Sequence, residues 1–205
     1  MRPTPCPPGL AASFAGGPYD GLLGALVVAH KEHSAFALAR PLGRVLAVAA
    51  VEALDPDSDP DREQTTLLVP VPSRPTVVRA RGHDPMLRIS RAAVRRLRSE
   101  GHRRVVVGRL LEQRVAVPDQ AGLDSRQRAA NLVGSMVVRT PLRQRLAARG
   151  APVSIVVCDD VLTTGATARE AQRAVEDAGL QVRAIVTVAA TRKRVPPRGV
   201  PGRLT

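Results

Sequence analysis

A chain of 205 residues with an apolar fraction of 44% has room for one α/β domain with a real hydrophobic core, and one domain plus loose ends is expected. The formal charge of +13 calls for an anionic partner, whether a polyphosphate, a nucleic acid or an acidic protein, and does not choose among them. Two cysteines, Cys6 and Cys158, exclude a disulfide framework and a four-cysteine zinc site.

The opening MRPTPCPPGL runs into prolines rather than an apolar stretch, and no apolar run approaches ~20 residues. Neither a signal peptide nor a membrane span is expected, and the protein reads as cytoplasmic. The composition carries a bias typical of a GC-rich genome. Only Lys31 and Lys193 are lysine, Asn131 is the one asparagine and Tyr19 the one tyrosine. The bias accounts for arginine in place of lysine but leaves the positive charge itself to be explained.

In chain order, residues 1–18 are rich in Pro, Gly and Ala and predict a flexible leader. Leu38, Leu42, Val45, Leu46, Ala49 and Ala53 recur at helical spacing and predict a helix near 41–54, with Pro41 tolerable in its first turn. Residues 55–64, DPDSDPDREQ, alternate aspartates like a calcium loop. Pro60 stands where such a loop needs glycine and Thr66 where it needs glutamate, so a solvated surface loop is expected. TTLLVPVP reads as a strand, followed by a basic loop carrying Arg79 and Arg81. Asp84 then stands as N-cap before Pro85, and a helix runs to about Ser99 with Gly101 past its end.

RRVVVGRLL predicts a second strand and NLVGSMVV a third, joined by a polar connection from Glu112 to Ala130. VSIVVC predicts a fourth strand, with Cys158 as a buried small hydrophobe. A helix over about Ala166 to Ala178 stops at Gly179, and VRAIVTVAA is a fifth strand. Residues 191–205 are basic, with prolines and glycines and no periodicity, and predict a disordered tail. Strands alternating with helices imply an α/β domain over 19–190, a mostly parallel sheet flanked by helices. Ligands in such sheets bind beyond the carboxyl ends of the strands.

One strand exit stands out. Val156-Val157-Cys158 leads into Asp159-Asp160, then Val161-Leu162 and the loop Thr163-Thr164-Gly165-Ala166-Thr167, which opens a helix. Backbone N–H groups at a helix start, a glycine permitting close approach and threonine hydroxyls form a cradle for phosphate. The adjacent carboxylates can accept hydrogen bonds from vicinal ribose hydroxyls. Without a ligand, the same residues would merely end a strand and cap a helix.

The run resembles the phosphoribosyl-pyrophosphate (PRPP) motif of type I phosphoribosyltransferases. Further segments are similar to the ComF family within that superfamily: Tyr19-Asp20 with Lys31, Val69-Pro70-Val71-Pro72, Arg79-Ala80-Arg81-Gly82, and Gln120-Ala-Gly-Leu with Arg128 and Asn131. The one tyrosine, the one asparagine and the only lysine outside the tail all fall on these positions.

The resemblance implies a type I phosphoribosyltransferase fold that binds PRPP or ribose 5-phosphate, with Mg²⁺ bridging pyrophosphate and ribose oxygens. It implies that Arg79 and Arg81 meet the pyrophosphate through their guanidinium forks. Gln120, Arg128 and Asn131 would belong to a mobile loop closing over the site. Asp159 and Asp160 would stabilise positive charge on the ribose as pyrophosphate leaves.

The chain departs from the family pattern in lacking a four-cysteine zinc module and in reading Arg81-Gly82-His83-Asp84-Pro85 where Arg-Gly-Phe-Asn-Gln is usual. No metal-ligand set is expected in the protein itself, and the i, i+3 pair His30 and His33 reads as exposed. Two function classes stay open. One is a phosphoribosyltransferase acting on an unidentified acceptor. The other is a non-catalytic nucleotide- or DNA-binding module, in keeping with the family's association with DNA uptake. With three aromatic residues in the chain, any single-strand binding would be electrostatic.

Overall fold

Runs such as Ile155-Val156-Val157-Cys158 and Ala184-Ile185-Val186 have no polar side, and strands apolar on both faces must be covered on both. The computed structural model, which describes residues 7–54, 64–114, 132–150 and 152–191, meets that requirement. Its first elements are β1 (Ala12–Ala15), α1 (Gly21–Glu32), a 3-10 turn (Phe36–Leu38), α2 (Ala39–Val51) and β2 (Thr65–Pro70). Then come α3 (Pro75–Arg81), α4 (Pro85–Ser99), β3 (Val105–Val107), β4 (Leu111–Gln113), β5 (Met136–Val138) and α5 (Thr140–Arg149). The last are β6 (Val153–Leu162), α6 (Ala166–Glu176) and β7 (Val182–Ala190).

Five strands form one sheet in the order β1-β7-β6-β2-β3, and each neighbouring pair is parallel. Side chains alternate across it with the pleat. Leu68, Val156, Cys158 and Val186 enter one core with Leu42 and Leu46 of α2 and Ile89 and Leu97 of α4. Leu67, Val69, Ile155, Val157 and Ile185 enter the other with Ala171 and Val175 of α6 and Met136 of β5. The sheet is therefore sandwiched by α2 and α4 on one face, and by α6 with the antiparallel β4-β5 ribbon on the other. The chain is α/β with a parallel sheet flanked by helices.

Local signals account for several boundaries. Asp84 caps α4, its Oδ1 accepting the Leu87 N–H at 3.1 Å, with Pro85 at the first helical position. Pro41 lies within the first turn of α2, where its missing N–H is no loss.

Other expectations need correction. The leader expected over 1–18 contains β1, which pairs with β7 in the register Ala12↔Ala184 to Ala15↔Thr187. Gln172 of α6 holds the approach to it. Its Oε1 accepts the Ala11 N–H, and its Nε2 donates to the Gly9 carbonyl, each at 2.9 Å. Short apolar ASFA carries too little pattern to announce an edge strand, and a distant side chain secures it. The basic loop after β2 is helical over Pro75–Arg81, ending at Gly82 with φ +71°. RRVVVGRLL divides at Gly108, whose added Cβ would lie 2.5 Å from Leu67 Cδ1. β3 stays in the main sheet, while β4 leaves to pair with β5. NLVGSMVV is a strand only over Met136–Val138, and antiparallel. Helices α1 and α5 are additions to the elements expected from the sequence.

Gly43 shows how closely α2 and α4 approach, since a Cβ there would stand 2.5 Å from Ala92 Cβ and 2.9 Å from the Ala93 nitrogen. Gly43→Ala gains about 1 kcal/mol of helix propensity but overpacks the contact at a cost of about 1–3 kcal/mol. A net loss of stability is expected in urea unfolding, and a raised midpoint would contradict the tight helix pair.

Candidate functional site

The sheet order gives the site its position. β2 connects through α3 and α4 to β3 on one side of the sheet order, while β6 connects through α6 to its other neighbour, β7. Strands β2 and β6 are adjacent, so their connections diverge at their carboxyl ends and open a crevice. Pro70 pairs with Cys158 at this end, and the Val71 N–H donates to the Cys158 carbonyl at 2.8 Å. The next residues along β6 are Asp159 and Asp160.

These carboxyl groups are held by the backbone and by one cation. Asp159 Oδ1 accepts the Asp160 N–H at 2.8 Å, and Asp160 Oδ1 accepts the Val161 N–H at 2.8 Å. Asp160 Oδ2 accepts from Lys31 Nζ at 2.6 Å, within a side chain only 13% exposed. Burial, followed by the charge of Asp160 next to it, raises the Asp159 carboxyl well above the usual carboxylate range. Burial alone would depress the Lys31 ammonium, but Asp160, with Asp159 and Glu32 behind it, outweighs burial and raises it. The pair is thus unequal, with Asp159 held toward its protonated form and Asp160 carrying the ion pair to Lys31.

Past Leu162 the chain turns through Thr163 and Thr164, both exposed, to Gly165, which is buried at φ +76° and stands as N-cap of α6. Gly165 has no side chain to cap the helix, and the one threonine contact is Thr164 Oγ1 accepting the Ala166 N–H at 3.4 Å. The first-turn N–H groups of Ala166, Thr167 and Ala168 therefore point past the helix end. Cys158 just below is fully buried, and burial pushes its thiol well up, so it serves as core.

The arginines expected at the site separate. Arg81 Nη2 meets Glu32 Oε2 at 2.5 Å, placing it against the end of α1. Arg79 lines a groove of about 370 Å³ after β2, together with Pro72, Ser73, Arg109 and Arg139. Arg139 Nε donates to Glu112 Oε2 at 2.9 Å, and Gln113 Nε2 donates to the Pro72 carbonyl at 3.1 Å, tying the ribbon to the exit of β2. Glu170, buried on α6, secures the ribbon from beneath by accepting the Met136 N–H at 2.9 Å and pairing with Arg173. Burial would raise its carboxyl, but Arg173 and the Met136 N–H outweigh that and hold it below the usual range. Gln120, Arg128 and Asn131 lie outside the described residues, as does the tail beyond Thr191.

His30 corrects a further expectation. It is 1% exposed, with Nδ1 donating to the Ala35 carbonyl at 3.1 Å and its ring 5.7 Å from that of His83, itself buried. His33 is exposed. Sequence reasoning gave no role to Glu32, Arg109 or Arg139. Lys31 carried a signal, as the only lysine outside the tail of an arginine-rich chain.

The split carboxyl pair predicts a pH dependence. The unfolded state loses the Asp159 proton above about pH 4, while the native state keeps it to higher pH. Between those values the native state binds more protons, so the stability contributed by Asp159 falls as pH rises. Asp159→Asn, which keeps the shape without the charge, should melt above the wild type at pH 7.5, with the gap closing toward pH 4. Parallel melting curves across that range would mean that Asp159 is ionised in the native state.

Among the described residues no helix is long and apolar enough to cross a membrane. Compared with known proteins, the chain matches no family model and no curated protein.

Proposed function

We propose that the chain is a type I phosphoribosyltransferase of the ComF kind, binding PRPP or ribose 5-phosphate in the crevice beyond β6. The observation that carries this reading is the juxtaposition, at one strand exit, of a split carboxyl pair and an uncapped helix start. Asp159 in its protonated form donates a hydrogen bond and Asp160 accepts, which suits two vicinal hydroxyls that each donate and accept. The 5-phosphate would then lie on the N–H groups of Ala166, Thr167 and Ala168, with Gly165 permitting close approach and Thr163 and Thr164 adding hydroxyls.

The groove with Arg79 and Arg109, reached from the exit of β2, suits the pyrophosphate. In transfer, an acceptor nucleophile bonds to the anomeric carbon as the bond to pyrophosphate breaks, the electron pair leaving with pyrophosphate. As positive charge grows on the sugar, the Asp160 carboxylate would shift from its partner Lys31 toward stabilising it.

Magnesium fits this donor set only when carried by the ligand. Among the described residues no three His, Cys, Asp or Glu side chains gather into a metal site, and the Asp160 carboxylate is taken by Lys31. A hard cation held mainly by polyphosphate and ribose oxygens would supply charge neutralisation of the leaving group. The alternative of a DNA-binding module rests on net charge, which a polyphosphate site also explains.

Calorimetry provides the test. The wild type should bind PRPP, and more tightly with Mg²⁺. Asp160→Asn should lose about tenfold in affinity, near 1.4 kcal/mol. Gly165→Val, which forces a branched side chain to φ +76° and crowds the cradle, should abolish binding. Far-UV circular dichroism checks that both variants fold. A wild type that binds neither PRPP nor ribose 5-phosphate, or variants that bind as it does, would refute the assignment.

A further inference from the structure

We propose that Lys31 is a working part of the ligand site: its ammonium is the counter-ion that cancels the charge of Asp160, so that an anionic sugar phosphate can approach the carboxyl pair. The inference rests on reading the site as one for a phosphorylated ribose, and assigns to it a positioning residue from a helix outside the strand-exit motif. Lys31 lies 129 positions from Asp160 in the chain, yet its Nζ stands 2.6 Å from Oδ2. Its side chain is 41% exposed, so the pair faces the solvent from which a ligand arrives.

The end of α1 is fixed for this contact. His30, next to Lys31, is buried and bonded to the Ala35 carbonyl, which anchors this turn, while Glu32 pairs with Arg81 at the surface. The charge arithmetic then gives Lys31 its use. With Asp159 held toward its neutral form, the Asp160 carboxylate is the charge that faces a ligand, and the Lys31 ammonium offsets it across 2.6 Å. Without it, a ligand carrying several phosphate charges meets an uncompensated carboxylate in a poorly solvated crevice. A purely structural role is the weaker account, because a partly exposed ion pair contributes little to stability.

The test uses Lys31→Met, Lys31→Arg, Asp160→Asn and the double variant Lys31→Met/Asp160→Asn, with PRPP titrated at pH 7.5 and melting temperatures confirming folded protein. Lys31→Met should weaken PRPP binding by about tenfold, while Lys31→Arg retains most of the affinity. In the Asp160→Asn background Lys31→Met should cost little more, because the charge it cancels is gone. In ligand-free protein, the ¹³C signal of the Asp159 carboxyl should titrate at higher pH in Lys31→Met than in the wild type, because Lys31 favours its charged form.

Wild-type affinity in Lys31→Met would overturn the proposal. So would losses that add in the double variant, since Lys31 would then touch the ligand rather than act through Asp160. A wild type that binds no PRPP would instead refute the ribose-phosphate reading. The Asp159 titration then decides by itself, and a midpoint unmoved by Lys31→Met would overturn the counter-ion role.

Discussion

Strand β6 has a hydrogen-bonded neighbour on each side and a packed layer over each face, so from Ile155 to Cys158 it can carry only apolar side chains. Polar chemistry becomes affordable where the strand emerges from these layers, and there the chain places Asp159 and Asp160. Because β6 continues pairing with β7 as far as Leu162↔Ala190, the carboxyl groups stand on regular backbone rather than on a loose turn. Rigid sheet on one side and the helix start at Gly165 on the other hold the two halves of the candidate site at a set separation.

The same burial that steadies the carboxyls sets them against each other. Two adjacent carboxylates in a poorly solvated place cannot both ionise freely, and the arrangement separates them by pairing Lys31 directly with Asp160. Helix α1 thereby becomes part of the site. Its last turn meets Asp160 through Lys31 and Arg81 through Glu32, and so links a carboxylate on β6 with a guanidinium at the end of α3.

Cations are distributed around the crevice with unequal freedom. Arg139 is engaged by Glu112 and Arg173 by Glu170, pairs that brace the β4-β5 ribbon. Arg79 and Arg109 line the groove beside the exit of β2. A basic sequence thus resolves into braces and candidate ligand contacts, a distinction that net charge alone does not make.

Much of the fold was legible because its causes are local. Apolar runs bounded by glycine and proline announced β2, β6 and β7, and Asp84-Pro85 announced the start of α4 through a cap that the structure contains. The strand-exit loop from Asp159 to Thr167 was legible for the same reason, since a strand, two carboxylates and a glycine-led helix start are written consecutively. Edge strand β1 and the β4-β5 ribbon were not legible. Each is too short to carry a period and is secured by partners far along the chain, Gln172 for the approach to β1 and Glu170 with Arg173 for the ribbon. The burial of His30 escaped for a related reason, because i, i+3 spacing says which residues share a helix face but not what covers it. The sequence by itself determined which groups would leave the sheet at β6. Only the tertiary structure decided their surroundings, because the burial that raises the Asp159 carboxyl and the cation 129 residues from Asp160 that pairs with it are not written next to them.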